Sequence, residues 1–459
     1  MQTTTDRDLR PGRPRRRALT SRLSFLLVLA VGVLGLAACG SSDSSTSSSS
    51  EGSTAAAGGG TVDSADAKEF RTLLGISDAD AAKLKGKTFK VGAILPLSGP
   101  GANYAVDEAN GVKLAVDEMQ RYLGMKVEYK AEDHKSGDPQ AGAAGARELG
   151  IDSFGVAVNS YYGVFGSTLK SVQQYKMLSF DPGGGTGNGL KGKDYFWGFR
   201  ANTPDDGFDA LKYFKAKDPS KKRVALVIWD AGAAYTDPIE KHLQESIAQN
   251  GMTYTGKLLQ KIGATDYASI FSKLKGMNPD IVSLVSYGAD PGYFMKQYVS
   301  SGLKAQVVGS EYVPDAKKIA GSAYDKYMFA NDYFDVSTPP NPLSKFFLKE
   351  YNRLFGQDPG TFYQPNYYET TLAYLELARR VAAKGGDINS GEQLNNEMVA
   401  DPKFKSVYGG DSSTVGTLEL DKTTHDPVVR PVGLFVAGPA VKQLAGWNIG
   451  GSDFKILEG

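Results

Sequence analysis

The chain has 459 residues, 52 Lys and Arg against 51 Asp and Glu, and 41% hydrophobic residues, which is enough for two domains with appendages. Its charge is uneven: residues 1–38 hold seven Arg and two acids, a +5 segment in a chain of net +1, so the remainder carries −4 and offers no general surface for nucleic acid. One cysteine, Cys39, and three histidines, His134, His242 and His425, exclude a disulfide within the chain and leave little for metal or triad chemistry, so no cofactor is expected.

The front end reads as an address. Arg13-Pro14-Arg15-Arg16-Arg17 is a basic stretch, and Leu26 to Ala38 is an apolar run too short to span a bilayer, which takes roughly 20 residues. Together they predict a signal peptide over 1–38. Ser41 to Gly60 is rich in Ser, Thr, Gly and Ala, lacks the apolar bulk to offset folding entropy, and predicts a flexible linker with a span on the order of 25 Å. The region 39–85 ends in a short helix that Ser77 and Asp80 cap.

Phe89–Leu97 is nearly continuous in apolar character, as in a strand covered on both faces. Ser98-Gly99-Pro100-Gly101 breaks it. A helix then begins near Ala105, with an apolar stripe at Ala105, Ala109, Val112, Val116, Met119 and Leu123. Strand, glycine-rich turn and helix open a doubly wound sheet, whose ligands sit at the carboxyl ends of the strands. Strands follow at 126–132, 155–159, 177–180 and 195–200, with helices from Asp138-Pro139 and Tyr161. A second series starts at Arg223–Trp229 and continues with strands at 253–259, 281–286 and 306–309. Its helices are expected after Asp237-Pro238, over 267–274 and over 291–299. Helices at 341–355 and 367–383 and strands at 416–420 and 432–436 complete the chain. Two successive series predict two α/β lobes.

Several marks then stand in order: Ser98-Gly99-Pro100, Asn110 to Glu118, Glu132-Asp133, Asp138-Pro139, Asp181-Pro182, Phe199-Arg200, Trp229-Asp230 with Tyr235, and Gly309-Ser310-Glu311. Leu36-Ala37-Ala38-Cys39-Gly40 resembles the bacterial lipobox, in which the cysteine carries lipid. The set resembles the solute-binding lipoproteins of ABC importers, specifically the branched-chain amino acid (Leu/Ile/Val-binding) type. The likeness spans roughly Phe89 to the C-terminus. It implies the periplasmic binding protein type I fold: two doubly wound parallel-sheet lobes, 88–203 plus 336–425 and 204–335 plus 426–459, joined by three crossings and closing on a small solute. It also implies an ABC permease and its ATPase as partners, a lipid anchor at Cys39, a location outside the cytoplasmic membrane and a monomer.

Site residues transfer by matching position. Tyr104 matches a cleft aromatic. Ser160, Tyr161, Tyr162 and Gly163 match a loop that offers hydroxyls to a ligand carboxylate, with the hydroxyl pattern altered. Gly183, Gly184 and Thr186 match a loop that holds carboxylate and amine, and only Thr186 keeps a hydroxyl. Tyr235 and Tyr287 match the opposite wall. Glu311 matches the acid that pairs with a ligand amine. An anchored enzyme is disfavoured by the lack of a Gly-x-Ser-x-Gly elbow, a His-Glu-x-x-His pair or a second cysteine. A urea-, amide- or aromatic-acid receptor and a sensory lipoprotein remain open beside an amino acid receptor.

Overall fold

The computed structural model describes residues 62–99, 101–183, 191–200 and 207–457. The expected signal peptide, Cys39, the linker, Gly184 and Thr186 lie outside the described residues, as does the side chain of Tyr162. Two short helices come first, α1 (Ala65–Leu74) and α2 (Asp78–Leu84). Ser77 Oγ accepts from the Asp80 N–H at 3.1 Å and donates to the Asp80 carboxylate at 2.9 Å, which is the predicted cap. α1 buries Phe70 against Tyr122 and Phe346, with ring centroids 5.6 and 5.9 Å away. One such side chain contributes about 1.5–3 kcal/mol, while the exposed Lys349–Asp66 pair beside it adds little.

The first sheet has the order β2-β1-β3-β4-β5 and is parallel throughout. Its strands are β1 (Thr88–Leu95), β2 (Lys126–Asp133), β3 (Val156–Asn159), β4 (Leu178–Asp181) and β5 (Phe196–Gly198). β1 is buried continuously from Val91, as its apolar run requires. α3 (Ala102–Leu123) follows it, and every residue of the predicted stripe is buried. Asp138 caps α4 (Pro139–Ile151) by accepting from the Gln140 and Ala141 N–H groups at 2.8 and 3.3 Å. α5 (Tyr162–Tyr175) completes the set on this side.

The second sheet has the order β16-β15-β14-β10-β9-β8-β6-β7. Its strands β6 (Arg223–Trp229), β7 (Thr253–Gln260), β8 (Ile281–Val285), β9 (Gln306–Gly309) and β10 (Met328–Asn331) are parallel and repeat the strand order of the first sheet. β14 (Pro431–Val436), β15 (Lys442–Asn448) and β16 (Ser452–Ile456) then pair antiparallel, so this sheet is mixed. The short connections from β14 to β15 and from β15 to β16 leave no room for the crossover that a parallel pairing needs. A third, antiparallel sheet of β11 (Lys403–Ser406), β12 (Gly416–Leu420) and β13 (Pro427–Val429) covers the first half, with Phe404, Leu418 and Leu420 in its core.

Several helix starts differ from the sequence reading, the largest shifts being in two helices, one of them treated with the site below. The helix expected to begin at Asp237-Pro238 runs Ala233–Gln249 and contains Pro238. Pro238 stands sixth in the helix, past its first turn, so it removes one i→i−4 hydrogen bond and crowds the carbonyl four residues before it. The extra turn brings Tyr235 onto the helix.

The chain passes between the sheets three times: after β5, after β10 and after β13. Among the described residues the passages carry the buried charges Arg200, Asp332 and Arg430 in turn. Arg200 Nε donates to Asp332 Oδ1 at 2.9 Å and Arg430 Nε to Asp332 Oδ2 at 2.7 Å. Arg430 also pairs with Glu369 and donates to Asn366 Oδ1 at 2.8 Å, while Asn366 Nδ2 donates to Asp332 Oδ2 at 3.2 Å. Burial alone would raise the Asp332 carboxyl, but Arg200 and Arg430 outweigh it and hold it below the ordinary range. Asp332→Ala leaves two buried guanidiniums short of their anion and should cost about 3–5 kcal/mol, read from urea unfolding. A loss below about 1 kcal/mol would show that the passages are held by packing instead.

Candidate ligand-binding site

In both sheets the strand order reverses between the first and third strands of the series, β1 and β3 in one and β6 and β8 in the other. Clefts for ligands form beyond the carboxyl ends of strands at such points. The described residues expected at the site follow the carboxyl ends of β1, β3, β4, β6, β8 and β9.

On the first half, Tyr104 sits in the first turn of α3, and its ring meets Tyr363 edge-on at 5.2 Å and Tyr161 at 6.5 Å. Tyr161 precedes α5 with φ 65°, a conformation that non-glycine residues adopt at a cost and that clusters at functional sites. Its ring lies 4.9 Å from that of His134, and its hydroxyl would stand 2.1 Å from a Cβ placed on Gly101. Tyr161 is therefore folded back over the turn between β1 and α3, which needs a glycine beneath it. Burial pushes His134 down to about 4, so it is neutral, and its Nδ1 accepts from the Gly137 N–H at 3.0 Å.

Ser160 Oγ donates to Glu108 Oε1 at 2.7 Å, so this hydroxyl is engaged inside the first half. Burial raises the Glu108 carboxyl to about 8 against the bonds from Ser160 and Tyr367, and Asp181 and Asp107 add to the rise. Gly163 is exposed in the first turn of α5. The Gly183 N–H donates to Asp181 Oδ1 at 3.0 Å, and its carbonyl accepts from Arg200 Nη1 at 3.4 Å.

On the second half, the Tyr235 and Tyr287 hydroxyls meet at 3.5 Å, and Tyr287 packs edge-on against Trp229 at 5.1 Å. Glu311 follows β9 and is 1% exposed. Its Oε1 accepts from the Gly288 N–H at 2.9 Å, and its Oε2 has no hydrogen-bond partner among the described residues. Burial raises its carboxyl, while the Gly288 N–H, Arg200 and the hydroxyls of Tyr104 and Tyr363 work the other way. Gly288 has φ 63°, and a Cβ there would stand 2.8 Å from the Tyr104 hydroxyl.

The halves meet at this point, where the Tyr104 hydroxyl donates to Glu311 Oε1 at 3.4 Å. Sequence reasoning missed two members of the cluster. Arg200 was visible only as half of the Phe199-Arg200 mark. Tyr363 opens a helix, Tyr363–Ala383, that the apolar pattern started at Tyr367. A surface groove of about 280 Å³ lined by Leu372, Glu376, Arg380 and Phe404 shares no residue with the cluster.

Residues 88–428 match the family model described as periplasmic binding protein. The chain is 22% identical over 367 residues to a Leu/Ile/Val-binding protein homolog of Brucella melitensis, covering 70% of this chain and 90% of the relative. It superposes on a leucine binding protein from Thermotoga maritima with TM-score 0.68 at 17% identity, covering 78% of this chain and 99% of the other. A solute binding protein from R. palustris in complex with benzoate gives TM-score 0.65 at 17% identity, with coverage of 81% and 98%. The structural likenesses show the fold.

The raised Glu108 carboxyl has a consequence for stability. Between its ordinary value of 4.5 and about 8 the folded chain binds a proton that the unfolded chain does not. Stability from this group is therefore full at low pH and is lost as pH rises through that window. Glu108→Gln should flatten the decline in melting temperature between about pH 5 and 9 and stabilise the chain by more than about 2 kcal/mol at the upper end. Parallel wild-type and variant curves would contradict the assignment.

Proposed function

We propose that this chain, which belongs to the periplasmic binding protein family, is an extracytoplasmic receptor of an ABC importer. It holds an amino acid or a similar amine-bearing solute between its halves and does no chemistry on it. The observation that carries this reading is Glu311. A carboxylate with one oxygen buried and unmet is costly. An ammonium group meets it with a charge-assisted hydrogen bond. Tyr104, Tyr363, Tyr235 and Tyr287 give the surrounding walls apolar faces with polar tips.

In this reading 88–203 with 336–425 is one closing lobe and 204–335 with 426–459 the other, and Cys39 carries the lipid that keeps the monomeric receptor near its permease. Thr186, Gly184, Ser160, Tyr161, Tyr162, Gly163 and Gly183 belong to the first wall. The tyrosine lining supports a second reading, an aromatic-acid receptor like the benzoate complex from R. palustris. A buried acid at Glu311 opposes it, because two carboxylates would share one enclosed space.

A thermal-shift screen over amino acids, amides, urea and aromatic acids identifies the class, since a solute that binds only the folded chain raises its melting point. Glu311→Ala should weaken an amine-bearing solute by more than about tenfold, and unchanged affinity by calorimetry would remove Glu311 from the site. Because burial raises the Glu311 carboxyl and an arriving ammonium favours its ionised form, binding should release protons. Affinity should then strengthen as pH rises toward the raised value, and calorimetry in buffers of different ionisation heat measures this. Proton uptake on binding would contradict the reading.

A further inference from the structure

We propose that the cationic group this site takes is an N-methylated ammonium, held by Glu311 and boxed in by aromatic rings. The proposal rests on the reading of Glu311 as the partner of a cation, and it goes past that reading by naming the chemistry of the cation. Tyr104, Tyr161 and Tyr363 stand on the first half, and Trp229, Tyr235 and Tyr287 on the second. Direct contacts tie them to the acid. The Tyr104 hydroxyl donates to Glu311 Oε1 at 3.4 Å, and the N–H of Gly288, the residue after Tyr287, donates to the same oxygen at 2.9 Å. The rings of Tyr363 and Tyr161 lie 5.2 and 6.5 Å from that of Tyr104, and Trp229 lies 5.1 Å from Tyr287.

The rings form corners rather than a stack. Their planes cross at 63° for Tyr104 and Tyr363, 75° for Tyr104 and Tyr161, and 75° for Trp229 and Tyr287. Glu311 is 1% exposed, yet all of these rings except that of Tyr363 are only half-buried. Aromatic surface is therefore left unspent around a charge that is withdrawn from water. Unspent apolar surface gathered in one place marks a ligand-binding groove or an interface. The negative faces of Tyr and Trp rings attract a cation, and the attraction grows as water is excluded.

The acceptors suit a methylated ammonium better than a primary one. A primary ammonium brings three N–H donors, and each left unmet in a buried place is costly. Glu311 Oε1 already accepts from Gly288 and Tyr104, and the Tyr235 and Tyr287 hydroxyls meet each other at 3.5 Å. Glu311 Oε2 remains, with no hydrogen-bond partner among the described residues. A tertiary ammonium gives its single N–H to that oxygen and turns its methyl groups, over which the positive charge is spread, to the rings. A quaternary ammonium relies on the rings and on the charge of Glu311 alone.

Calorimetry with two methylation series tests this: ethanolamine through its N-methyl and N,N-dimethyl forms to choline, and glycine through its N-methyl forms to trimethylglycine. In at least one series the dimethyl or trimethyl member should bind at least about tenfold more tightly than the primary amine. The neutral carbon analogue of choline, with a tert-butyl group in place of trimethylammonium, should bind at least about tenfold more weakly than choline. Tyr287→Phe, which keeps a ring, should preserve the gain on methylation. Tyr287→Leu should cut that gain by at least about fivefold and change the primary amine by less than about twofold. Affinity that is flat or falls with methylation in both series would overturn the box while leaving the amine reading intact, as would binding of unmethylated amino acids with no member of either series. Equal binding of choline and its neutral analogue, or equal weakening of every member by Tyr287→Leu, would overturn it by reducing the rings to apolar packing. If Tyr287→Leu fails to fold, the wild-type series and Tyr287→Phe still decide. If no amine of either series binds and no amino acid does, both readings fall.

Discussion

Three passages of chain between two sheets are gathered on one buried carboxylate. Asp332 receives Arg200 from the first passage and Arg430 from the third, and it lies on the second itself. Ion pairs at this depth gain little net energy over an apolar contact, because both charges give up water. What they do well is fix geometry: a guanidinium that donates from a set edge to a set oxygen allows few arrangements. The network therefore fixes how the three passages lie against one another.

The cleft follows from topology. Both sheets use the same strand order, and the loops after β1, β3, β6, β8 and β9 come together in the contacts among Tyr104, Tyr161, Tyr235, Tyr287, Gly288 and Glu311. Aromatic side chains fill these loops. Their faces exclude water and their hydroxyls tolerate a polar solute. The Tyr104 hydroxyl donates to Glu311 across the loops of the two sheets at 3.4 Å. Among the described residues, Glu311 Oε2 is a buried carboxylate oxygen of this cluster with no hydrogen-bond partner. A solute that supplies a partner to that oxygen would shift the chain toward whichever arrangement lets it make more contacts.

Most of the parallel core was legible in the sequence, because buried strands such as Arg223–Trp229 and Ile281–Val285 are apolar on both faces. The stripe of α3 and the caps at Ser77 and Asp138 were equally plain. The edges were not. β11 is Lys-Phe-Lys-Ser, four residues whose alternation is too brief to separate from a loop, and β15 and β16 carry mixed polarity. Pro238 misled because a proline inside a helix reads as its start. At the site, Glu311 was legible through the resemblance alone, since an acid after a strand end is commonly a solvated one. Arg200 was not, since no pattern in the chain tells a surface arginine from one buried against an aspartate 132 residues away. The engagement of Ser160 by Glu108 was hidden for the same reason. Such pairings are made by folding, and local sequence carries no trace of them.

Small-angle X-ray scattering with and without the amino acid that most raises the melting point tests the central claim most directly. If two halves close on a solute about a fixed pivot, the radius of gyration of the saturated chain falls below that of the solute-free chain. A chain that calorimetry shows to be saturated, yet whose scattering is unchanged, would place the solute somewhere other than between the halves.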